Sequence, residues 1–255
     1  MSDKKYILTN ETIDTGESRV EELFGETFFG NIFLFRIQAV RDFGDVKKGD
    51  KGGFVEHDEN LSHSGNCWIY DNAWVYGDAR VTDNARVWDD TKINTGNISG
   101  NTVLGAKYQL TDETINVCGH TLYRIKALKD FRNVKKGDKG GYVESYANLA
   151  QNGDCWVNGN AKVYGNADVY DYAQVYDNAR VYGNARVFSN AKVHGDAQVY
   201  GNAQVYYDAE VWGNAKIFAN AKISANARVY GDARVNGEAH VCDEDVTDDR
   251  YYNKD

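Results

Sequence analysis

Proline is missing from all 255 residues. Within stacked strands a proline deletes a ladder hydrogen bond, so its absence suits a chain in which neighbouring strands use every N–H. Methionine occurs once against 18 tyrosines, a balance that favours strands. The four cysteines include no C-x-x-C spacing, so neither a disulfide framework nor a zinc site is expected. Cys67 and Cys155, in G-N-C-W-I and G-D-C-W-V, read instead as small buried hydrophobes. A basic surplus is lacking too: the formal charge of -9 argues against bulk attraction to duplex nucleic acid or to anionic membranes. No apolar run approaches the roughly 20 residues that span a bilayer, and the opening M-S-D-K-K-Y has no signal-peptide core. No membrane partner is expected, and a cytoplasmic protein is.

What the chain does have is a period. From Cys155 to Cys242 an apolar residue returns at every sixth position, from Val157, Val163 and Val169 through Ile217 and Ile223 to Val241. Two residues before each stands a small one, Cys155 first and then Ala161, Ala167 and onward to Ala239. A helix of period 3.6 cannot keep every sixth residue on one face, whereas a strand puts the Ala and Val of each A-x-V inward together. The G-N, G-D and D-N pairs between these strands tolerate positive φ and mark corners. Short strands and two-residue corners repeated without interruption make a solenoid.

The N-terminal part duplicates the middle. K-Y-I-L-T at residues 5–9 returns as K-Y-Q-L-T at 107–111, residues 36–56 return as 124–144, and V-K-K-G-D-K-G-G is identical at 46–53 and 134–141. The first copy carries about fourteen extra residues, from near Glu17 to Gly30. Alternation over residues 122–128 predicts a strand paired with 108–115 across a turn near Gly119. Each copy is expected to be a small β-rich cap over the raw end of a coil. The expected divisions are a cap at 1–56, a short hexapeptide segment at 57–105, a second cap at 106–144, a regular solenoid of about five coils at 145–242 and an acidic, fraying tail at 243–255. In the short segment the register slips at Ile98 and Val103, which predicts less than two full coils there.

Fixed small residues at this spacing are similar to the hexapeptide-repeat proteins, in which three hexads form one triangular coil. The run R-D-F-G-D-V-K-K-G-D-K-G-G-F-V-E-H-D-E-N-L-S-H-S-G-N-C-W-I-Y resembles the YdcK-like bacterial proteins, predicted acyltransferases with relatives among phage and prophage proteins. The likeness covers residues 36–70 and, more loosely, 124–157. The expected fold is therefore all-β, a left-handed parallel β-helix (hexapeptide-repeat solenoid) with two duplicated small β-rich cap modules; the hand and the triangle are implied by the resemblance. It also implies a homotrimer, phage or prophage origin with residence in the host cytoplasm, and acyl-CoA as the alternative cofactor.

With eighteen residues per coil, outward positions eighteen apart form columns. Lys162, Arg180, Gln198, Lys216 and Arg234 make one, beside Tyr164, Tyr182, Tyr200, Phe218 and Asn236. Cations interleaved with rings suit a small anionic ring compound, the cations on its charge and the rings on its flat part. Lys162, Tyr164, Arg180, Tyr182, Tyr200, Lys216 and Arg234 are the candidate ligand-binding residues. The competing reading is a solvated ladder with rings covering rings, or a subunit interface. The columns from Asp168 to His240 and from Gln174 to Arg228 are mixed in charge.

Acyl transfer, which the resemblance implies, needs a histidine base at a subunit junction, and His194 is the candidate in the middle of the regular coils. His57 and His63 have Ser145 and Gln151 as counterparts, so a shared catalytic role is not expected. G-D-K-G-G lacks the Walker spacing and reads as a tight turn or an anion nest. No calcium-loop pattern occurs, so no metal is expected. The expectation is a binding or scaffold protein without cofactor, taking a small anionic ligand such as a nucleotide-derived signal, or a host protein. The alternative is a hexapeptide acyltransferase using acyl-CoA with His194 as base.

Overall fold

The computed structural model describes residues 4–23, 26–247 and 251–254, with side chains for 4–18 and 30–247. The chain is a parallel β-solenoid in two compact units, Met1–Ala106 and Lys107–Asp255. Among the described residues the only helical segments are two three-residue turns, Asp58–Asn60 and Tyr146–Asn148.

In the second unit, strands about two residues long stack into three parallel sheets. Lys162 pairs with Arg180 and Val163 with Val181, so the eighteen-residue repeat is the coil. The ladder is a backbone matter: the Lys162 N–H donates to the Ala179 carbonyl at 2.9 Å and the Tyr164 N–H to that of Val181 at 3.1 Å. Inward Ala161, Val163, Ala179 and Val181 are wholly buried. Each such valine contributes on the order of 1.5–3 kcal/mol. At the corner the Ala161 N–H donates back to the Asn158 carbonyl at 3.2 Å, around Gly159 at φ 63°. Coils also approach closely there: a Cβ on Gly213 would lie 2.9 Å from the Gly231 nitrogen. Corner asparagines bond along the stack, Asn184 Nδ2 donating to Asn202 Oδ1 and Asn202 Nδ2 to Asn220 Oδ1, each at 2.9 Å.

The strand Tyr108–Val117 pairs antiparallel with His120–Ala127, as the alternation predicts. Cys118 and Gly119 both have positive φ, 52° and 88°, the two-residue hairpin turn whose twist matches its strands. Lys139–Val143 then pairs antiparallel with His120–Ala127 on one side and parallel with Lys162–Val163 on the other. One strand thus belongs both to the hairpin module and to the first coil. The first unit repeats this with Tyr6–Leu23, Glu26–Ala39 and Lys51–Val55. Its hairpin strands have 18 and 14 residues against 10 and 8, which accommodates the extra residues; the turn at 24–25 lies outside the described residues.

The identical K-G-G owes its glycines to packing. A Cβ on Gly52 would meet Trp68 and Ile37 at 2.6 Å, and one on Gly140 would meet Trp156 at 2.6 Å and Ile125 at 2.5 Å. Those tryptophans anchor matching clusters, Trp68 with Tyr6 and Phe43, and Trp156 with Tyr108 and Phe131.

The structure corrects the expected length of the first solenoid. Val55, Val75 and Ile93 stack on one side and Ile69, Val87 and Leu104 on another, so the stack is nearly three coils and not fewer than two. The slip is a single residue lost at the corner between Ile93 and Ile98, and Ile98 still pairs with Val81. The inward residue that follows is Leu104, opposite Val87, while Val103 pairs with outward Arg86. The second unit drops one residue in the same way before Val246, which pairs with Val229 and is wholly buried. The segment expected to fray therefore continues the stack, with Tyr251–Lys254 paired to Arg234–Gly237. Whether the Tyr251 and Tyr252 side chains cover the last coil lies outside the described residues.

Candidate functional site

Strand pairing brings Lys162, Arg180, Gln198, Lys216 and Arg234 into one register-matched column. Beside it Tyr164, Tyr182, Tyr200 and Phe218 stack with centroids 5.1, 4.9 and 5.0 Å apart and planes within 5° of parallel. That spacing is one strand separation, so any aromatic residue repeated at this slot covers the face of the next. Along the column the rings offer edges, not faces, to a ligand. Burial, with neighbouring Tyr200 and Tyr164, pushes the Tyr182 hydroxyl up to about 12. Partial burial and then nearby Arg180 lower the pKa of Lys162, whose ammonium donates to the Asn160 carbonyl at 2.8 Å.

Ring columns run on the other two faces as well. Tyr170, Phe188 and Tyr206 stack at 4.9 and 5.0 Å, and Tyr176, His194, Trp212 and Tyr230 at 4.5, 5.8 and 4.5 Å. His194 is a rung of that last column. Its Nε2 lies 3.2 Å from Glu210 Oε1 and its Nδ1 3.8 Å from Asp177 Oδ2. With a ring on each face and the Glu210 carboxylate within hydrogen-bond distance of Nε2, the imidazole is held in place, while the Asp177 carboxylate stands beyond hydrogen-bond distance of Nδ1. His63 is similarly committed, stacked on Tyr6 at 4.3 Å with Nε2 3.2 Å from Asp58. The leading N–H groups of both G-D-K-G-G loops are already paired within the backbone: those of Gly137 and Asp138 donate to the Ala127 and Lys135 carbonyls at 2.9 Å, and those of Gly49 and Asp50 to the Ala39 and Lys47 carbonyls at 2.8 and 3.0 Å.

Two features escaped the sequence reading. One is a pair of buried ammonium groups. Lys107 Nζ donates to the carbonyls of Cys155, Gly153 and Asn152 at 2.9, 3.2 and 3.3 Å and lies 3.1 Å from the Cys155 thiol; Lys5 does the same at Cys67. Burial lowers the pKa of Lys107 and raises that of Cys155. The repeated K-Y ahead of each hairpin was the available signal. These lysines tie the hairpin module to the first corner of its coil.

The other is a cleft of about 520 Å³ in the second unit, between the turn at residues 132–139 and the first two rungs of one sheet. Arg132, Asn133, Trp156, Asn158, Gln174 and Tyr176 line it, with Asp138, Lys139 and Asp154. Trp156 pairs with Gln174 across the rungs, which sets Asn158 above Tyr176. His194 covers one face of Tyr176; among the described residues no ring covers the other. The volume falls within the range of small-molecule pockets. Among the described residues no cluster of His, Cys, Asp and Glu fits a metal ion, and no helix is long and apolar enough to cross a membrane.

Comparison with known proteins agrees with this architecture. The YdcK Beta solenoid repeat matches at residues 173–187, 179–195 and 227–243. A stretch of 41 residues is 46% identical to the Uncharacterized acetyltransferase YdcK of Escherichia coli (strain K12). That stretch is 16% of this chain and 13% of that protein, so the likeness spans a small part of either.

Proposed function

We propose, from the premise that the chain carries YdcK-like β-solenoid repeats, that it is a binding protein and not an acyltransferase. It holds a small ligand noncovalently in the cleft between Arg132 and Tyr176. The observation that carries this reading is the composition of the cleft: a Tyr176 ring face that no other described ring covers, three side-chain amides and charges of both signs, with no imidazole, thiol or hydroxyl nucleophile in its lining except the Tyr176 phenol. The scaffold suits the task, because a stack whose backbone and rings are already paired loses little entropy on binding. Arg132 supports an anionic ligand, its guanidinium reaching across the mouth to donate to the Tyr172 carbonyl at 3.2 Å. The name of the E. coli relative favours acyl transfer instead, and His194 is the base that reading requires. A cytoplasmic homotrimer, phage or prophage encoded, belongs to the same proposal; a monomer in sedimentation at micromolar concentration would remove the trimer.

Two measurements decide between the readings. A thiol-release assay with acetyl-CoA and a panel of amines and alcohols is expected to give no turnover; turnover abolished by His194→Ala would establish the enzyme. A fragment screen by protein-observed NMR is expected to shift signals around the cleft, and these shifts should vanish in Asn158→Tyr. Shifts scattered over the solenoid faces would count against the cleft.

A further inference from the structure

The internal duplication allows the cleft to be compared with its own counterpart. In the first unit the equivalent place is filled. Tyr70, the counterpart of Asn158, lays its ring on Trp88 with centroids 3.4 Å apart and planes 4° from parallel. Its hydroxyl donates to Asp45 at 3.1 Å, and Arg86 bonds both to Asp45, at 2.5 Å, and to that hydroxyl. The first unit thus contains a flat ring seated on an aromatic shelf, with its polar end held by a charged pair.

In the second unit the shelf persists as Tyr176 while the occupant is gone. Asn158 replaces the ring, and the charged pair is replaced by two amides, Asn133 for Asp45 and Gln174 for Arg86. A third change adds a group: Arg132 stands where the first unit has Gly44. Both have positive φ, 46° and 54°, a region glycine adopts freely and arginine at a cost in strain. The scaffold around the cleft is meanwhile unchanged, down to the Trp68 and Trp156 clusters and the K-G-G contacts.

We infer that the cleft takes a planar heteroaromatic ring, a nucleobase or a compound that carries one, seated on Tyr176 where Tyr70 sits in the first unit. The inference rests on the binding function proposed above and names its ligand class. The shelf selects flatness. Asn133 and Gln174 each carry a donor and an acceptor, which suits a ring edge that presents both, as bases do, and not a lone phenol or carboxylate. Arg132 at the mouth would meet an anionic substituent such as a phosphate.

The test uses the full chain with adenosine, guanosine and ribose as probes, read by saturation-transfer NMR and calorimetry. The nucleosides are expected to bind, with the strongest transfer to base protons, and ribose is not. Asn158→Tyr, which installs the first unit's own ring, should abolish nucleoside binding with melting unchanged. Tyr176→Leu should weaken it by roughly tenfold or more, and Tyr176→Phe should restore it. Failure of both nucleosides to bind overturns the ring inference. Ribose binding as well as the nucleosides, or nucleoside binding that survives Tyr176→Leu but not Asn158→Tyr, also overturns it while leaving the cleft a binding site. Nucleoside binding that survives Asn158→Tyr overturns the ring and the cleft together.

Discussion

The two units share their hairpin, K-G-G strand, tryptophan cluster and buried lysine, and differ beneath the K-K-G-D turn. The first closes that place with Tyr70, Trp88 and the Arg86–Asp45 pair. The second puts Asn158, Tyr176, Gln174 and Asn133 in those four positions and leaves about 520 Å³ open. The lesson is that the shared scaffold and the open space are set by separate residues here. The elements that hold a hairpin module to its coil are duplicated intact, whereas the outward residues beside them are interchangeable between filling a space and leaving it open. The units also differ in length, since the first stack ends after Leu104 while the second continues through Val246.

The comparison is tested most severely in the inward valines. Val81→Asp and Val181→Asp each place an unpaired charge in a wholly buried slot and should cost at least about 3–5 kcal/mol, removing cooperative melting of the unit concerned. Calorimetry should show Val81→Asp removing the lower transition, that of the shorter stack, and Val181→Asp the higher. One transition lost in both variants would mean that the units do not melt separately.

A smaller effect tests the shared scaffold. A Cβ at Gly53 would lie 2.4 Å from the Ala73 carbonyl oxygen and one at Gly141 2.6 Å from that of Ala161. Gly53→Ala and Gly141→Ala should each cost about 1–3 kcal/mol in urea unfolding. A neutral result at either position would separate the modules.

Acid should act on both hairpins with the same sign. Hydrogen bonds from Lys139 and Arg124 hold Glu113 down to about 2, and those from Lys51 and Arg36 lower Glu11. A carboxylate whose pKa is depressed on folding contributes stability that is full above its ordinary value of 4.5 and is lost as pH falls towards 2. Glu113→Gln should therefore flatten the fall in urea midpoint over that window and leave the neutral-to-alkaline range alone. An unchanged acid slope would show that these ion pairs do not matter to folding. The smallest change is expected on the solenoid face, where Gln204→Lys should stay within about 0.5 kcal/mol.

Much of the architecture was readable because it repeats. Val163, Val181 and Val199 recur at a spacing that only stacked strands satisfy, and Tyr108–Val117 with His120–Ala127 announced a hairpin by alternation around Cys118-Gly119. The one-residue corner deletions misled the reading, since Ile98 and Val246 stay paired although the period breaks. Backbone pairing tolerates a shortened corner, and a strict count does not. His194 shows the opposite limit: its column position was legible, but the carboxylates of Asp177 and Glu210 at its two nitrogens were not.

The sequence by itself determined the solenoid, its inward residues and its duplication, because each follows from a local pattern of side-chain size and turn chemistry repeated many times. Only the tertiary structure decided that the tyrosines spend their faces on one another and that Lys5 and Lys107 are buried under carbonyls. It alone decided that Arg132, Asn158 and Tyr176, from separate segments, surround an open space. An unfilled volume depends on how far each neighbouring side chain reaches, and no periodicity along the chain encodes that.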